Sequence, residues 1–361
     1  MRSLSGVDTL VVKVGSTSLT NELGTLDPKQ LGSLAGQIAA MRKKGAACVF
    51  VSSGAIAAGL SLLSLKRRPS DIPTLQAAAS VGQGLLVHAY QRAFARRRVP
   101  VGQVLLTQDD FIRRKAYVNA RNTLQRLLEL GTVPIVNEND AVATEEIRFG
   151  DNDRLAALVA NLVHAKLLIM LSDIDGLYSS DPKRKGAVLL DRVDDVNATD
   201  GLRAGRSQSG IGSGGMASKI EAVRIATASG VGVVIANARR PNVIADIVRG
   251  KPVGTYFPPR PGKARSKKLW IAFARAPRGT IFVDSGAKEA LISGGKSLLA
   301  AGVTGSDGAF DMGDAVDVAG PDRTVFGRGL VNYAAKEMPE IQGRRTDGGR
   351  EVIHRDSLVI L

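Results

Sequence analysis

Two lysines in the sequence stand where a protein could bind phosphate. Lys13 lies one residue before the end of the apolar run TLVVKV (9–14) and is followed by GSTS, while Lys219 ends the segment GSGGMASK (212–219) at the start of a helical pattern. Glycine-rich backbone amides beside a fixed cation favour an anion. Two alternatives stay open, a Lys13 side chain that snorkels to water at the sheet edge and a flexible surface connection before Lys219.

The glycine segment is neither of the two common nucleotide-binding motifs. Gly210, Gly212 and Gly215 match the letters of the dinucleotide fingerprint GxGxxG, but the polar residues RAGRSQS precede them instead of a strand. A P-loop needs glycine directly before its lysine, and Ser218 occupies that position. The sequence therefore predicts an anion site of another kind.

Carboxylate and amide side chains bracket one segment of the chain. The segment begins with NEND (137–140) after a strand-like run and ends with DND (151–153) before a helical pattern. Any one of these residues could cap the helix, but a cap requires one side chain rather than three. Two carboxylate and amide groups around one segment suit an ammonium ligand or a metal ion.

Two more groups follow strand-like runs. SSGA (52–55) supplies hydroxyls and a glycine that lets a ligand approach closely, although a tight turn from strand to helix would explain it as well. Asp173 follows LLIMLS (167–172) and could hold the two lysines in position. In open α/β sheets, ligands bind beyond the carboxyl ends of the strands, so we expect all these groups at one edge of a sheet.

The absence of histidine from these motifs restricts the chemical class of the phosphoryl acceptor. None of the three histidines lies in them. Transfer to a hydroxyl often uses a general base, whereas a carboxylate, with a pKa near 4.3, is already deprotonated at neutral pH. Catalysis could then depend on positioning and on neutralising the developing charge. The motifs thus favour an acid as the acceptor.

Six apolar runs alternate with helical patterns over residues 1–256. One helix is expected to begin at Asp27-Pro28 and to end before Gly45. Strands that are apolar on both faces predict an α/β fold, an open and mainly parallel sheet sandwiched by helices. The six runs are TLVVKV (9–14), ACVFVS (47–52), VGQVLL (101–106), VPIVN (133–137), LLIMLS (167–172) and VGVVIA (231–236).

The C-terminal part of the chain has a different pattern of apolar and turn-forming residues. The proline-rich, basic stretch FPPRPGKARSKK (257–268) predicts a linker. Beyond it, short apolar runs punctuated by glycine and aspartate predict a small β-barrel-like domain at 269–361.

Composition restricts the class of protein further. The net charge is +15, but residues 261–361 hold 15 Lys and Arg against 12 Asp and Glu, so the excess lies in the larger domain. Clusters such as Lys66-Arg67-Arg68 are typical of solvated helix ends, with anionic ligands or RNA as the alternative.

The single cysteine, Cys48, excludes an intrachain disulfide framework and is expected in a buried strand. With no secretory signal and no long apolar run, we expect a cytoplasmic enzyme.

Taken together and in this order, the motifs resemble those of the amino-acid kinase family. The matching segments over residues 7–256 are LVVKVGSTSLT, VSSGAIAAGL, VPIVNENDAVATEEIRFGDNDRLAA, LSDIDGLYSSDP and GSGGMASK. Residues 275–356 are more loosely similar to a PUA domain, through GTIFVDSGAKEAL and FDMGDAVDVAG.

The resemblance implies ATP-dependent phosphorylation of the side-chain carboxylate of L-glutamate, the first step of proline biosynthesis, with Mg²⁺ bridging the ATP phosphates. Lys13 and Lys219 would stabilise the transferring phosphoryl group and Asp173 would orient them, with no metal site made by the protein itself. The positions matching the family's glutamate-binding residues are Ser53, Asp140 and Asn152. Those matching its ATP-binding residues are Lys13, Ser172, Asp173, Ser213, Gly214, Gly215, Met216, Ala217, Ser218 and Lys219.

The resemblance also concerns partners. It implies a homo-oligomer, a dimer or tetramer, assembled through the kinase domain, and feedback inhibition by proline. PUA domains occur in RNA-binding proteins, so RNA is an alternative partner, to which the small positive charge of the C-terminal part gives weak support. No membrane partner is expected.

Overall fold

The chain forms two compact units, Met1–Lys263 and Ala264–Leu361. The computed structural model describes residues 6–21, 25–65, 67–111, 113–142, 152–182, 184–196, 199, 213–260, 277–344 and 350–360. The predicted linker includes the division between the units, but its residues 261–268 lie outside the described ones. The domain limits 1–256 and 269–361 therefore stay predictions.

The larger unit is built on one seven-stranded sheet with the order β3-β4-β2-β1-β5-β6-β7. Neighbouring strands are parallel, except that β7 runs antiparallel to β6. The strands are β1 (Thr9–Val14), β2 (Ala47–Ser52), β3 (Val101–Leu106), β4 (Val133–Glu138), β5 (Leu167–Ser172), β6 (Gly232–Asn237) and β7 (Thr255–Phe257).

Helices connect these strands, as crossovers between parallel strands require. They are α1 (Ser16–Leu19), α2 (Pro28–Lys43), α3 (Ala55–Leu62), α4 (Ile72–Ala95), α5 (Arg114–Glu129), α6 (Asp153–Leu162), α7 (Ser213–Ala228) and α8 (Val243–Val248). A short 3₁₀ turn, Gln108–Phe111, precedes α5.

The predicted mainly parallel α/β fold is confirmed. All six apolar runs are strands whose ends lie within one residue of the predicted ones. Helix α2 begins after Asp27, whose carboxylate accepts from the backbone N–H groups of Lys29 and Gln30. Gly45, with a φ of +90°, follows its end. Cys48 is buried in β2, where loss of solvation raises the pKa of its thiol to about 12.

Strand β1 lies at the centre of the sheet, between β2 and β5. Its residues Leu10, Val12 and Val14 belong to the hydrophobic core that includes α2, α4 and α8. Because side chains alternate along a strand, Val11 and Lys13 face the opposite side, where α6 packs on β1 and α7 packs on α6. The sheet thus brings one lysine into an otherwise apolar layer under α6.

Helices α3 and α4 pack with their backbones in close contact. A Cβ atom added at Gly59 would lie 1.8 Å from the carbonyl oxygen of Ala78, and one added at Gly82 would lie 1.8 Å from that of Ala55. Only glycine permits this approach. The contact holds the start of α3, immediately after β2, against the middle of α4.

The smaller unit contains a five-stranded sheet with the order β12-β11-β10-β8-β9, in which only β10 and β8 are parallel neighbours. Its own core includes Ile281, Val316 and Met338. The predicted β-rich domain is confirmed. Its elements are β8 (Gly279–Val283), α9 (Ser285–Ile292), β9 (Val303–Gly308), β10 (Ala315–Ala319), β11 (Val325–Leu330), α10 (Met338–Ile341) and β12 (Leu358–Ile360).

In the part of the chain that the structure describes, no helix is long and apolar enough to cross a membrane.

Candidate active site

A buried cluster of three charges, hereafter the ion cluster, lies beside the carboxyl end of β1. Asp153 contacts both lysines, through Oδ1 with the Nζ of Lys13 at 2.5 Å and through Oδ2 with the Nζ of Lys219 at 3.0 Å. Asp153 is completely buried, and the exposed fractions of Lys13 and Lys219 are 1% and 9%. Lys13 therefore does not snorkel to water. Among the described residues, two lysines share one carboxylate, an arrangement that suits an anionic ligand.

Each member of the ion cluster comes from a different element. Lys13 projects from β1, Asp153 is the first residue of α6, and Lys219 extends from α7. A carboxylate in the first turn of a helix is favoured by the helix dipole, which places a partial positive charge at that end. The Nζ of Lys219 also donates to the carbonyl oxygen of Gly215 at 3.3 Å, one turn earlier in α7.

The sequence pattern favoured Asp173 as the carboxylate between the lysines, but in the structure Asp153 occupies that place. Asp173 follows β5 with an exposed side chain and accepts a hydrogen bond of 3.0 Å from the hydroxyl of Ser172. The reason is the direction of approach. Asp173 continues the strand beyond the edge of the sheet, whereas α6 carries Asp153 back over the face of β1 from which Lys13 projects. The sequence signal that could have identified Asp153 is its position at the start of an apolar helical pattern.

The ATP-binding candidates of the glycine-rich segment fall partly within the described residues. Helix α7 begins at Ser213. Lys219 therefore lies in the second turn of this helix, whereas the sequence pattern placed it in the first turn. Met216, Ala217 and Ser218 are half-buried and Gly215 is exposed. The side chain of Ser213 and the α-carbon surroundings of Gly214 are not described, and the preceding Gly210 and Gly212 lie outside the described residues.

The second part of the site is a network of amides at the ends of β2 and β4. The Asn152 Nδ2 donates to the backbone oxygen of Ser52 and to the Oδ1 of Asn137, each at 2.5 Å. Asn137 in turn donates to the Oε1 of Gln83 on α4 at 2.6 Å. Asn152 precedes α6 but makes no side-chain cap. Capping thus does not explain this residue, which instead ties the helix start to two strands.

A small cavity, hereafter the amide cavity, opens to solvent next to this network. It brings together the three predicted acceptor-binding residues, Ser53, Asp140 and Asn152. Arg68, which the sequence analysis took as part of a solvated cluster, also lines it. The remaining lining residues are Ser16, Gly54, Ala55, Ile56, Ala57 and Asn137.

Ser53 is positioned to receive a ligand. It is 4% exposed, and among the described residues its hydroxyl has no hydrogen-bond partner. Gly54 follows with a φ of +104°, a left-handed conformation that glycine tolerates at little cost. Ser52, one residue earlier, is fixed by a 2.8 Å hydrogen bond with the buried hydroxyl of Tyr90. An unsatisfied buried hydroxyl in a rigid turn marks a place for a polar ligand group.

Asp140 gives the amide cavity an acidic group. Burial raises the pKa of this carboxyl to about 6, against an ordinary value of 3.8, and the nearby charge of Arg68 acts in the opposite direction. Loss of solvation is the larger of the two effects. The carboxylate is therefore charged at neutral pH and is only partly compensated, which suits an ammonium group.

The metal alternative for the carboxylate and amide groups finds no support in the described residues, which contain no cluster of three or more His, Cys, Asp or Glu side chains able to hold a metal ion. Asp151 lies outside them. Mg²⁺ in phosphoryl-transfer sites uses few protein ligands and several phosphate oxygens.

Comparison with known proteins identifies the family. The model of the amino-acid kinase family matches residues 8–237, and the PUA domain model matches residues 279–353. The chain belongs to the amino-acid kinase family. It is a kinase with a C-terminal PUA domain.

Relatives match over nearly the whole length of the chain. The glutamate 5-kinase of Salinispora arenicola is 50% identical and covers 98% of this chain and 97% of its own length. Those of Streptomyces coelicolor and Frankia casuarinae are 50% and 51% identical, and each match covers 98% of this chain and 96% of the relative. Both units of this family member are thus shared with these relatives.

Proposed function

We propose that this kinase transfers the terminal phosphoryl group of ATP to the side-chain carboxylate of L-glutamate and forms L-glutamyl 5-phosphate. The observation that supports this most is the adjacency of the ion cluster and the amide cavity. Asn152 lines the cavity and Asp153, the next residue, binds both lysines. A site for a transferring anion and a site for an ammonium-bearing acceptor therefore meet at the start of α6.

The ion cluster would serve the phosphoryl group. Lys13 and Lys219 neutralise negative charge that develops during transfer, and in a buried site this electrostatic effect is large. Asp153 keeps both amines in place through direct contacts. Ser172, Asp173 and the segment from Ser213 to Lys219 form the proposed ATP site, so that Asp173 contributes to nucleotide binding instead of orienting the lysines.

The amide cavity would serve glutamate. Asp140 pairs with its α-ammonium group, while the hydroxyl of Ser53 and the amide of Asn152 bind polar groups of the acceptor. The γ-carboxylate is already ionised and attacks directly, so no general base is needed. Catalysis then consists of alignment and charge neutralisation.

Mg²⁺ is part of this proposal. When bound to the ATP phosphates it neutralises charge and orients the terminal group. Within the protein, the start of α7 and the two lysines would receive the phosphates that carry the ion.

The experiment that tests the function traps the labile product. The full-length protein is incubated with ATP, Mg²⁺, hydroxylamine and one acceptor, and the hydroxamate is measured. We expect hydroxamate from glutamate that depends on both ATP and enzyme, and little from N-acetylglutamate or aspartate, with no phosphorylation of UMP. Efficient use of one of the other acceptors, with none of glutamate, would assign the site to a different substrate.

Several wider properties belong to the same proposal. We place the enzyme in the cytoplasm at the first step of proline biosynthesis, as a homo-oligomer inhibited by proline. Light scattering and proline titration of the hydroxamate assay test the last two. RNA binding by the PUA domain stays the rival partner, and strong, salt-sensitive RNA binding by a protein without ATP-dependent activity would favour it.

A further inference from the structure

One charged residue of the amide cavity has no part in the function proposed so far. Arg68 lies between α3 and α4, and its exposed side chain lines the cavity together with Ser53, Asp140 and Asn152. It is close enough to Asp140 to lower the pKa of that carboxyl by its charge. The neighbouring Arg67 is also exposed but does not line the cavity.

The cavity therefore has two ends of different character. At its inner end, Asn152 adjoins the ion cluster through Asp153, and Ser53 is buried. At its outer end, Asp140 is half-buried and Arg68 is exposed to solvent. The acceptor carboxylate that receives the phosphoryl group must lie at the inner end, where the lysines are. The outer end then faces the opposite end of the acceptor.

An α-amino acid carries two opposite charges at that opposite end, an ammonium and a carboxylate on the same carbon. Asp140 complements the first and Arg68 complements the second. Guanidinium binds carboxylate with two parallel hydrogen bonds, a geometry that an ammonium group cannot offer. The pair of side chains thus matches the charge pattern of a free amino acid better than either does alone.

We propose that Arg68 is a specificity-determining residue that binds the α-carboxylate of the acceptor, opposite the α-ammonium group held by Asp140. This inference rests on the proposed function. It accounts for an arginine at the mouth of a cavity whose other charged lining residue is Asp140, and it requires that the acceptor be a free amino acid whose α-carboxylate is ionised.

The test compares two acceptors in the hydroxamate assay. L-Glutamate has an α-carboxylate, whereas its α-amide, isoglutamine, keeps the γ-carboxylate and the ammonium but lacks that charge. Wild-type enzyme should use isoglutamine with a kcat/KM about 10- to 100-fold lower than glutamate, since a charge-assisted bidentate pair is lost. Arg68→Met should lower kcat/KM for glutamate by a similar factor, mainly through KM, and change kcat/KM for isoglutamine less than about threefold.

Controls separate the charge from its surroundings. Arg67→Met, one position away and outside the cavity, should leave both acceptors unchanged, and Arg68→Lys should restore part of the preference for glutamate. The KM for ATP should stay the same in all variants.

Two results would overturn the inference while leaving the proposed function intact. In one, Arg68→Met has normal kinetics with glutamate. In the other, it loses activity equally with both acceptors, which would show that Arg68 acts through Asp140 or the fold. Wild-type enzyme that phosphorylates neither acceptor would instead refute the proposed function, and this inference with it.

Discussion

The ion cluster and the amide cavity adjoin at Asn152 and Asp153, yet they are built in opposite ways. In the ion cluster, three charged groups are at most 9% exposed and are in direct contact, with both lysines on one carboxylate. In the amide cavity, Asp140 is half-buried, Arg68 is exposed and the hydroxyl of Ser53 has no partner among the described residues. In the first region the charged groups contact one another, whereas in the second they line an open cavity.

Under the proposed function, this difference divides the requirements of phosphoryl transfer between the two regions. Charge stabilisation is strongest where water is excluded, so its groups must be buried, and burial is tolerated only because they are paired. Recognition of a soluble acceptor needs polar groups that stay available to it. Consecutive residues at the start of α6 serve the two needs, and the network from Asn152 to Asn137 keeps them in register.

The largest effect is expected for the centre of the ion cluster. Asp153→Asn leaves two buried lysines without their shared carboxylate, so the free energy of unfolding should fall by about 3–5 kcal/mol, and kcat should fall by about 10³-fold. Lys219→Met leaves the Lys13–Asp153 pair neutral, so it should lose a similar factor in kcat but much less stability. Urea unfolding and the hydroxamate assay measure both. An Asp153→Asn protein as stable as wild type would show that this carboxylate does not stabilise the two buried lysines.

A smaller effect, confined to the acceptor, is expected for Asp140. Asp140→Asn should raise the KM for glutamate by about 100-fold, because a partly buried charge pair with the ammonium is lost. In wild type, kcat/KM for glutamate should fall tenfold per pH unit below about 6, where the Asp140 carboxyl becomes protonated. The variant should lack this inflection. A profile in which both proteins share it would assign the ionisation to another group.

The close packing of α3 against α4, next to the amide cavity, can be tested with two glycines of α4. Gly82→Ala places a methyl group against the backbone of Ala55, 1.8 Å from its oxygen, and should lower the free energy of unfolding by about 1–3 kcal/mol or more. It should also raise the KM for glutamate, because Ala55 lines the cavity. Gly84→Ala is the matched control, since nothing lies within 4 Å of its added Cβ. There, alanine should stabilise the helix by about 0.5–1 kcal/mol. Equal thermal unfolding of the two variants would contradict the close contact.

The smallest expected effect is the change in the free energy of unfolding when Asp140 in the amide cavity is replaced. The folded pKa of Asp140 is about 6 and its ordinary value 3.8, so the folded protein binds more protons between these values. Its contribution to stability is therefore present at low pH and is lost as pH rises through about 6. Asp140→Asn should be more stable than wild type at pH 8, on the order of 1–2 kcal/mol, and should lose this advantage near pH 4. Urea unfolding at both pH values tests the sign.

The sheet could be predicted from the sequence because its signal is local. Runs such as TLVVKV and LLIMLS are apolar on both faces and end in polar residues, which sets the strand and its carboxyl end together. Strand β9, VTGSDG, gives no such local signal because glycine, serine and aspartate outnumber its apolar residues. Its place is decided by pairing with β8 and not by its own composition.

The residues of the candidate site could be singled out from the sequence, but the contacts between them could not be predicted. Lys13, Lys219, Ser53, Asp140 and Asn152 were singled out by their positions after strands or before helices. Which carboxylate meets the lysines depends on how α6 crosses β1, and both Asp153 and Asp173 satisfied the sequence pattern. Arg68 was overlooked because a basic cluster between helices is usually solvated, and only the packing of α3 on α4 brings this one to the cavity.

The central claim, that the ion cluster carries the chemistry and the amide cavity binds the acceptor, is tested most directly by one set of steady-state kinetics. The hydroxamate assay of Lys219→Ala and Asp140→Asn, with Lys166→Ala as an exposed lysine control, gives kcat and the KM for glutamate of each. We predict that Lys219→Ala stays folded and loses orders of magnitude in kcat with little change in KM, while Asp140→Asn shows the reverse. Near-normal kcat in Lys219→Ala, or the same pattern in both variants, would contradict the account.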